Sequence, residues 1–241
     1  MAEKIAVLAD IHGNYSALQA VLKEIDQDPD IVRIYCVGDM VGIGYETDEV
    51  LEALCSRDDV TMILGNHEEE MLDLLNGEEG ESQGGERVRH EWLLDRMDKK
   101  FIPELKALPK ELTVRHGGKN LLLTHYHLDP AKKYLPIDAD PTWEKFEILY
   151  KDSAVDLVCF GHHHPVHYFS TNSRTYLNPG SLGCSNWPYA RYAIVSFNGT
   201  IEVELKEAAY DNKEFLAGYE KLKVPERDFI LSIFHGNQHL E

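Results

Sequence analysis

Three times before residue 70 the chain repeats one device. An apolar run that reads as a buried strand stops at polar residues, and helical spacing follows. Residues 5–9 end at Asp10-Ile11-His12-Gly13-Asn14; Ala17, Leu18, Val21, Leu22 and Ile25 then recur at helical spacing, with Asn14 or Ser16 as the cap. Residues 31–37 end at Gly38-Asp39, and a helix carrying Val50, Leu51 and Leu54 follows. Residues 60–64 end at Gly65-Asn66-His67, before a helix with Met71, Leu72, Leu74 and Leu75. Successive β-α units imply an α/β fold, and in open α/β sheets ligands bind just beyond the strand ends.

The second half of the chain adds more strands with the same kind of ending. Residues 111–115 and 121–124 flank Gly117-Gly118 as a hairpin, and His125-Tyr126-His127 follows. The apolar run 155–160 ends in Gly161-His162-His163-His164. Residues two apart in an extended segment share a side, so His162 and His164 can face one spot while His163 turns away. Short β segments are expected at 166–169, 175–177, 191–197 and 201–205, with Asn198-Gly199 as a hairpin turn. Residues 77–85 are acidic and glycine-rich. They read as mobile, and the helix expected from about 86 to 100 presents Val88, Trp92, Leu93 and Met97 on one face. Together 77–108 form a cap-like segment, and 212–240 form a helical tail outside the motifs. No linker divides the chain, so residues 1–241 are expected to be a single domain.

Charge and cysteine usage narrow the function. The formal net charge of -18 argues against a nucleic acid duplex or an anionic membrane as partner, since both need a basic surface. Cys36, Cys55, Cys159 and Cys184 are scattered without a C-x-x-C, and read as buried free thiols of a reducing compartment. No run reaches transmembrane length, so the expected location is the cytoplasm.

Five strand ends therefore carry Asp10 with His12, Asp39, Asn66 with His67, His125, and His162 with His164. One Asp or Asn after a strand is ordinarily a turn residue, and a lone His ordinarily a hydrogen-bonded one. Turn chemistry does not account for the repetition. Side chains from parallel strand ends converge on one sheet edge, and mixed imidazole and carboxylate donors suit divalent transition metals.

Asp10-x-His12, Gly38-Asp39, Gly65-Asn66-His67-Glu68, His125 and Gly161-His162-x-His164 occur in the order of the calcineurin-like metallophosphoesterase superfamily, which the chain resembles over residues 10–164. The later Asn178-Pro179-Gly180-Ser181-Leu182-Gly183 is similar to the bacterial YfcE-type phosphodiesterase branch, and the overall pattern resembles a group that includes asymmetric diadenosine tetraphosphate hydrolases. The resemblance implies a four-layer sandwich, two facing mixed β-sheets flanked by helices. It implies two divalent metal ions, manganese first, with iron, zinc, cobalt or nickel fitting the same donors. Asp10, His12, Asp39 and His164 would hold one ion; Asp39, Asn66, His125 and His162 the other, with Asp39 bridging. His67 would act at the leaving oxygen, as proton donor or by stabilising charge. The implied reaction is in-line hydrolysis of a phosphodiester or phosphoanhydride by a metal-bridged hydroxide, on a small phosphorylated substrate such as a dinucleoside polyphosphate. Two divalent ions against two ligand carboxylates would leave the pocket cationic inside an acidic protein.

Departures from the superfamily pattern matter. Gly38-Asp39-Met40-Val41-Gly42-Ile43-Gly44 lacks the arginine of the protein Ser/Thr phosphatases, which counts against that activity, and Tyr126 stands where Gly usually follows the strand-end His. Asn14, Tyr45 and Tyr126 are candidates for substrate binding, Trp92 and Trp187 are further stacking surfaces, and His127 and His163 read as packing or solvent residues. The competing class is a metal-free or weakly active protein-interaction scaffold, because the superfamily includes a retromer subunit that uses the fold for contacts. A phosphomonoesterase or, despite the missing arginine, a protein phosphatase is a further alternative.

Overall fold

The computed structural model describes residues 3–240. Among them β1 (Glu3–Leu8), β2 (Ile31–Cys36) and β3 (Val60–Met62) run parallel and are joined by α1 (Tyr15–Ile25) and α2 (Thr47–Cys55). After β3 come α3 (Asn66–Asn76), α4 (Gly84–Arg96) and α5 (Ile102–Ala107). The hairpin β4 (Glu111–His116) and β5 (Lys119–Thr124) opens a second sheet, continued by α6 (Trp143–Leu149), β6 (Leu157–Cys159), β7 (His167–Ser170) and β8 (Thr175–Asn178). Then β9 (Tyr189–Phe197) and β10 (Ile201–Ala209) return to the first sheet, and α7 (Lys213–Lys221) and α8 (Arg227–Ile233) follow. The strand orders are β10-β9-β1-β2-β3 and β4-β5-β6-β8-β7, both mixed.

Strand alternation explains how the sheets stack. Ile5, Val7 and Ala9 share one side of the β1 segment and meet Leu121, Leu123, Leu157, Cys159 and Leu177 of the second sheet. Burying each of the larger of these side chains contributes about 1.5–3 kcal/mol. Ala6, Leu8, Ile34 and Cys36 face the other way, onto Leu18 and Val21 of α1 and Val50 and Leu51 of α2. On the far side of the second sheet, Val158 and Tyr176 pack on Phe146 of α6. The layers are helices, sheet, sheet, helix, as the resemblance implied.

Three local expectations are corrected. Val88 points outward at 52% exposure; the buried face of α4 is Arg89, His90, Leu93 and Leu94. The helix is turned because Arg89 Nε donates to the Gly42 carbonyl and His90 meets His67. Cys55 is exposed at the end of α2, whereas Cys36, Cys159 and Cys184 are buried free thiols. The tail does not stay apart from the motifs. Phe215, Tyr219 and Ile230 pack on Ile43 and Cys184, and the Phe234 ring lies 5.6 Å from that of His164. The 77–85 stretch is tied to α3, since the Glu70 carboxylate accepts from Glu81 N (2.7 Å) and Ser82 Oγ (2.5 Å). No helix among the described residues is long and apolar enough to cross a membrane.

Candidate metal centre

The parallel strands β1, β2, β3, β5 and β6 all end on one edge of the sandwich, and the residues beyond them meet there. His12 Nε2 lies 2.9 Å from His164 Nε2, 3.8 Å from Asp39 Oδ2 and 4.0 Å from Asp10 Oδ1. His125 Nε2 lies 3.2 Å from Asp39 Oδ2 and 2.9 Å from Asn66 Oδ1, which is also 2.7 Å from His162 Nδ1. Asp39 thus stands between a group containing His12 and one containing His125 and His162. His67 is beside it, with Nε2 3.9 Å from Asp39 Oδ2.

The backbone is bent to make this meeting possible. Asp10, His12, Asp39 and His162 all have φ between +49° and +65°, a region L-residues visit rarely and that clusters at functional sites. Glycine makes the room. A Cβ on Gly38 (φ +93°) would lie 2.5 Å from the His125 ring, and one on Gly42 (φ +117°) 2.5 Å from the His67 ring. Glu68, fully buried, accepts hydrogen bonds from the backbone N–H groups of Gly65 (2.8 Å), Asp39 (2.9 Å) and Val41 (2.9 Å), clamping the Asp39 loop to α3. The 178–183 run serves as a strut. Asn178 Nδ2 donates to the carbonyls of Gly161 (3.1 Å) and His163 (2.6 Å), and Ser181 Oγ donates to the Asp10 carbonyl (2.7 Å).

The donor set fits cations. His125 Nδ1 donates to the Val37 carbonyl (2.8 Å), so in the neutral ring Nε2 is a bare lone pair aimed at the Asp39 carboxylate. Acceptor facing acceptor requires a positive species between or on them. Without metal that species is a proton. Burial opposes it, but the Asp39 carboxylate outweighs burial and lifts His125 to about 9. His12 Nδ1 likewise meets the Val41 carbonyl (3.0 Å), leaving Nε2 for the centre. Asp10 Oδ2 is buried with no hydrogen-bond partner, and burial together with Asp39 raises Asp10 to about 7. A cation would satisfy that orphaned oxygen. His12-Asp39-His67, Asp39-His125-His162 and His12-His164-Cys184 each offer ligand atoms within 4.8 Å of one another.

The substrate-binding candidates fare differently. Asn14 is corrected to a structural residue: its Oδ1 caps α1 at Ala17 N, and its Nδ2 donates to the Gly183 carbonyl and Tyr210 Oη. Tyr45 is corrected too, because it stacks on Phe215, 5.2 Å between ring centroids, and its hydroxyl donates to the Phe215 carbonyl. Tyr126 is buried against His162, ring centroids 5.0 Å apart, and its hydroxyl accepts from Asp138 N. His127 bonds Tyr150 Oη and His163 bonds His167, both away from Asp39. Sequence reasoning missed His90, Glu68 and Tyr134. A charged or imidazole side chain in the buried stripe of α4 was the one available signal for His90. Beside the cluster a cavity of about 650 Å³ opens, lined by Asn66, His90, Glu69, Lys110, Lys132 and Tyr134.

Comparison with known proteins bears on the family and the fold. An uncharacterized protein of Methanocaldococcus jannaschii is 27% identical over 247 residues, covering 92% of this chain and 94% of its own. A symmetrical bis(5'-nucleosyl)-tetraphosphatase of Paracidovorax citrulli is 32% identical over 127 residues, which is 52% of this chain and 44% of that relative. The crystal structure of a hypothetical protein from Pyrococcus horikoshii shares the fold, with a TM-score of 0.81 at 21% identity over 97% of this chain and 98% of that one. The calcineurin-like phosphoesterase superfamily domain matches residues 4–200, from β1 through the last strand-end histidines to the β9–β10 turn, and the chain belongs to that superfamily.

Proposed function

We propose that the chain is a dinuclear metal-dependent phosphoesterase that cleaves diester or anhydride bonds of a small nucleotide-type substrate. The observation that carries this is the Asp39 carboxylate standing between two sets of nitrogen and oxygen donors, with bare acceptors facing one another. In this reading Asp10, His12, Asp39 and His164 hold one cation and Asp39, Asn66, His125 and His162 the other. Two bound divalent cations, manganese among the candidates, would supply Lewis-acid polarisation of phosphoryl oxygens and an acidified water. The chain's own residues do the rest. The Val37 and Val41 carbonyls orient His125 and His12 by holding their Nδ1 protons. Glu68 holds the Asp39 loop, and His67 faces the reacting oxygens without being a ligand.

The adjoining cavity, within the usual range of about 300–1,000 Å³ for small-molecule sites, suits one nucleotide moiety beside the phosphates. Its wall carries Lys110, Lys132 and Lys133 but also Glu69, Glu70, Asp73, Glu81 and Glu86, so a phosphate there would be held by the bound cations and not by the wall. The dinucleoside tetraphosphate named for the Paracidovorax relative is the first compound to try, although the chain spans less than half of that relative. We assign the whole of 1–241 to one domain, with 77–108 capping one side of the site.

Manganese-supplemented protein assayed on bis-p-nitrophenyl phosphate, p-nitrophenyl phosphate and diadenosine tetraphosphate tests this. Turnover of at least one, with close to two metal ions per chain, is expected. No turnover of any, with purified protein that takes up no metal, would sink the proposal.

A further inference from the structure

His67 does not act alone. Its Nδ1 lies 2.7 Å from His90 Nε2, and His90 comes from α4, a helix that carries none of the motif residues. Both rings are buried, at 7% and 1% exposure. The other ring nitrogen of His90, Nδ1, is buried with no hydrogen-bond partner. Those two facts restrict where protons can be.

A hydrogen bond at 2.7 Å needs a single proton on the line between His67 Nδ1 and His90 Nε2. If His67 supplied it, His90 Nε2 would be bare and neutral His90 would carry its proton on Nδ1. A cationic His90 would carry a proton there as well. Each of these states puts an N–H on His90 Nδ1, an atom closed to solvent and without an acceptor in reach, and orphaned buried N–H groups are rare. The remaining state has His90 Nε2–H donating to His67 Nδ1, with His90 Nδ1 an unprotonated lone pair. Neutral His67 must then hold its own proton on Nε2, the nitrogen 3.9 Å from Asp39 Oδ2. Of the carboxylates around His90, Glu86 faces the Arg89 guanidinium 3.6 Å away, Glu70 accepts from Glu81 N and Ser82 Oγ, and Asp39 stands beyond His67.

We propose that His90 is a positioning residue that locks His67 in the Nε2–H form, so that His67 offers a hydrogen bond to the charge developing on the phosphoryl or leaving oxygen. The lock follows from the geometry of the pair; its catalytic consequence rests on the phosphoesterase reading above. A neutral Nε2–H that left altogether would produce an imidazolate. The proton therefore stays on His67, and the leaving oxygen takes its proton from water.

The test is the tautomer itself. Nitrogen NMR on ¹⁵N-histidine protein loaded with zinc, which is diamagnetic, reports which ring nitrogen is protonated; the His67 signals are those lost in His67→Gln. Wild type is expected to show His67 as Nε2–H and His90 as Nε2–H. His90→Ala should release His67 into a mixture of tautomers, and His90→Gln, whose amide N–H can donate to Nδ1, should restore the single form. On bis-p-nitrophenyl phosphate with manganese, His90→Ala should lose ~10–100-fold in kcat with KM little changed, and His90→Gln should recover much of it. An Nδ1–H His67 in wild type, zinc bound at His90 Nε2, or unchanged kcat in His90→Ala would overturn the proposal. Should wild type turn over no phosphate ester at all, the functional reading fails, while the NMR result still decides the lock.

Discussion

Gly42→Ala is the substitution that most directly tests whether the placement of His67 matters. It adds one methyl group, removes no polar atom and touches no proposed ligand. The new Cβ would lie 2.5 Å from His67 Cγ and 2.6 Å from Nδ1, where carbon contacts settle at about 3.5–4.0 Å. The ring must therefore retreat by about 1 Å, away from the position it shares with His90. A misplacement of about 1 Å in a reacting group costs on the order of 10²-fold in rate. The backbone at φ +117° adds about 1–3 kcal/mol of strain for alanine. A control separates the two effects. Gly77 also has positive φ, +76°, but nothing lies within 4 Å of its Cβ position. Gly77→Ala should lower the melting temperature by a few degrees and leave turnover alone. Gly42→Ala should lower it too, keep its metal content, and lose about two orders of magnitude in kcat on bis-p-nitrophenyl phosphate. Wild-type kcat in metal-replete Gly42→Ala would refute the steric reasoning.

Other expectations follow from the same contacts. Asp39→Asn should lose metal and activity together, read by metal analysis and turnover, whereas His67→Ala should keep metal and lose ~10²–10³-fold in kcat. Asn178→Ala removes the donor to Gly161 and His163 and the acceptor of Gly180 N. At ~1–3 kcal/mol per stranded group, and ~2–4 °C per kcal/mol for a chain of this size, a clear drop in melting temperature is expected. Burial holds His235 down at about 4, against 6.5 when unfolded. Between those values the unfolded chain binds the extra proton, so stability is fully present above pH 6.5 and lost as pH falls, by on the order of 2 kcal/mol at pH 5. Urea midpoints at pH 7.5 and 5 should differ less in His235→Phe than in wild type; an equal difference in both would contradict this.

The strand ends were legible because each announces itself locally. An apolar run broken by Asp, Asn or His is visible within a few residues, and the parallel order of β1, β2 and β3 follows from the helices between them. What escaped depends on partners far along the chain. Nothing near Tyr45 says that Phe215 will stack on it, so an aromatic on a glycine-rich loop was open to being read as a substrate platform. Glu68 looked like one more residue of a motif. Its three backbone partners lie on two different loops and emerge only when β2 and β3 are side by side. His90 was hidden by a periodicity that favoured Val88 and Trp92, because apolar spacing cannot weigh an imidazole whose partner sits on another helix.

The seating of β1 between β2 and β9 has a consequence for how the protein is made. One neighbour of β1 is synthesised within some thirty residues of it, the other nearly two hundred residues later. The clasp on the Asp10 carbonyl is Ser181, equally late. At about 5–20 residues per second, the first strand waits on the order of ten seconds or more beside the ribosome with one edge bare. On the proposed reading the last ligand, His164, also comes late, so ion capture cannot help the early segments fold. Chaperone protection of that first sheet edge, more than metal supply, should govern how much protein reaches the finished state.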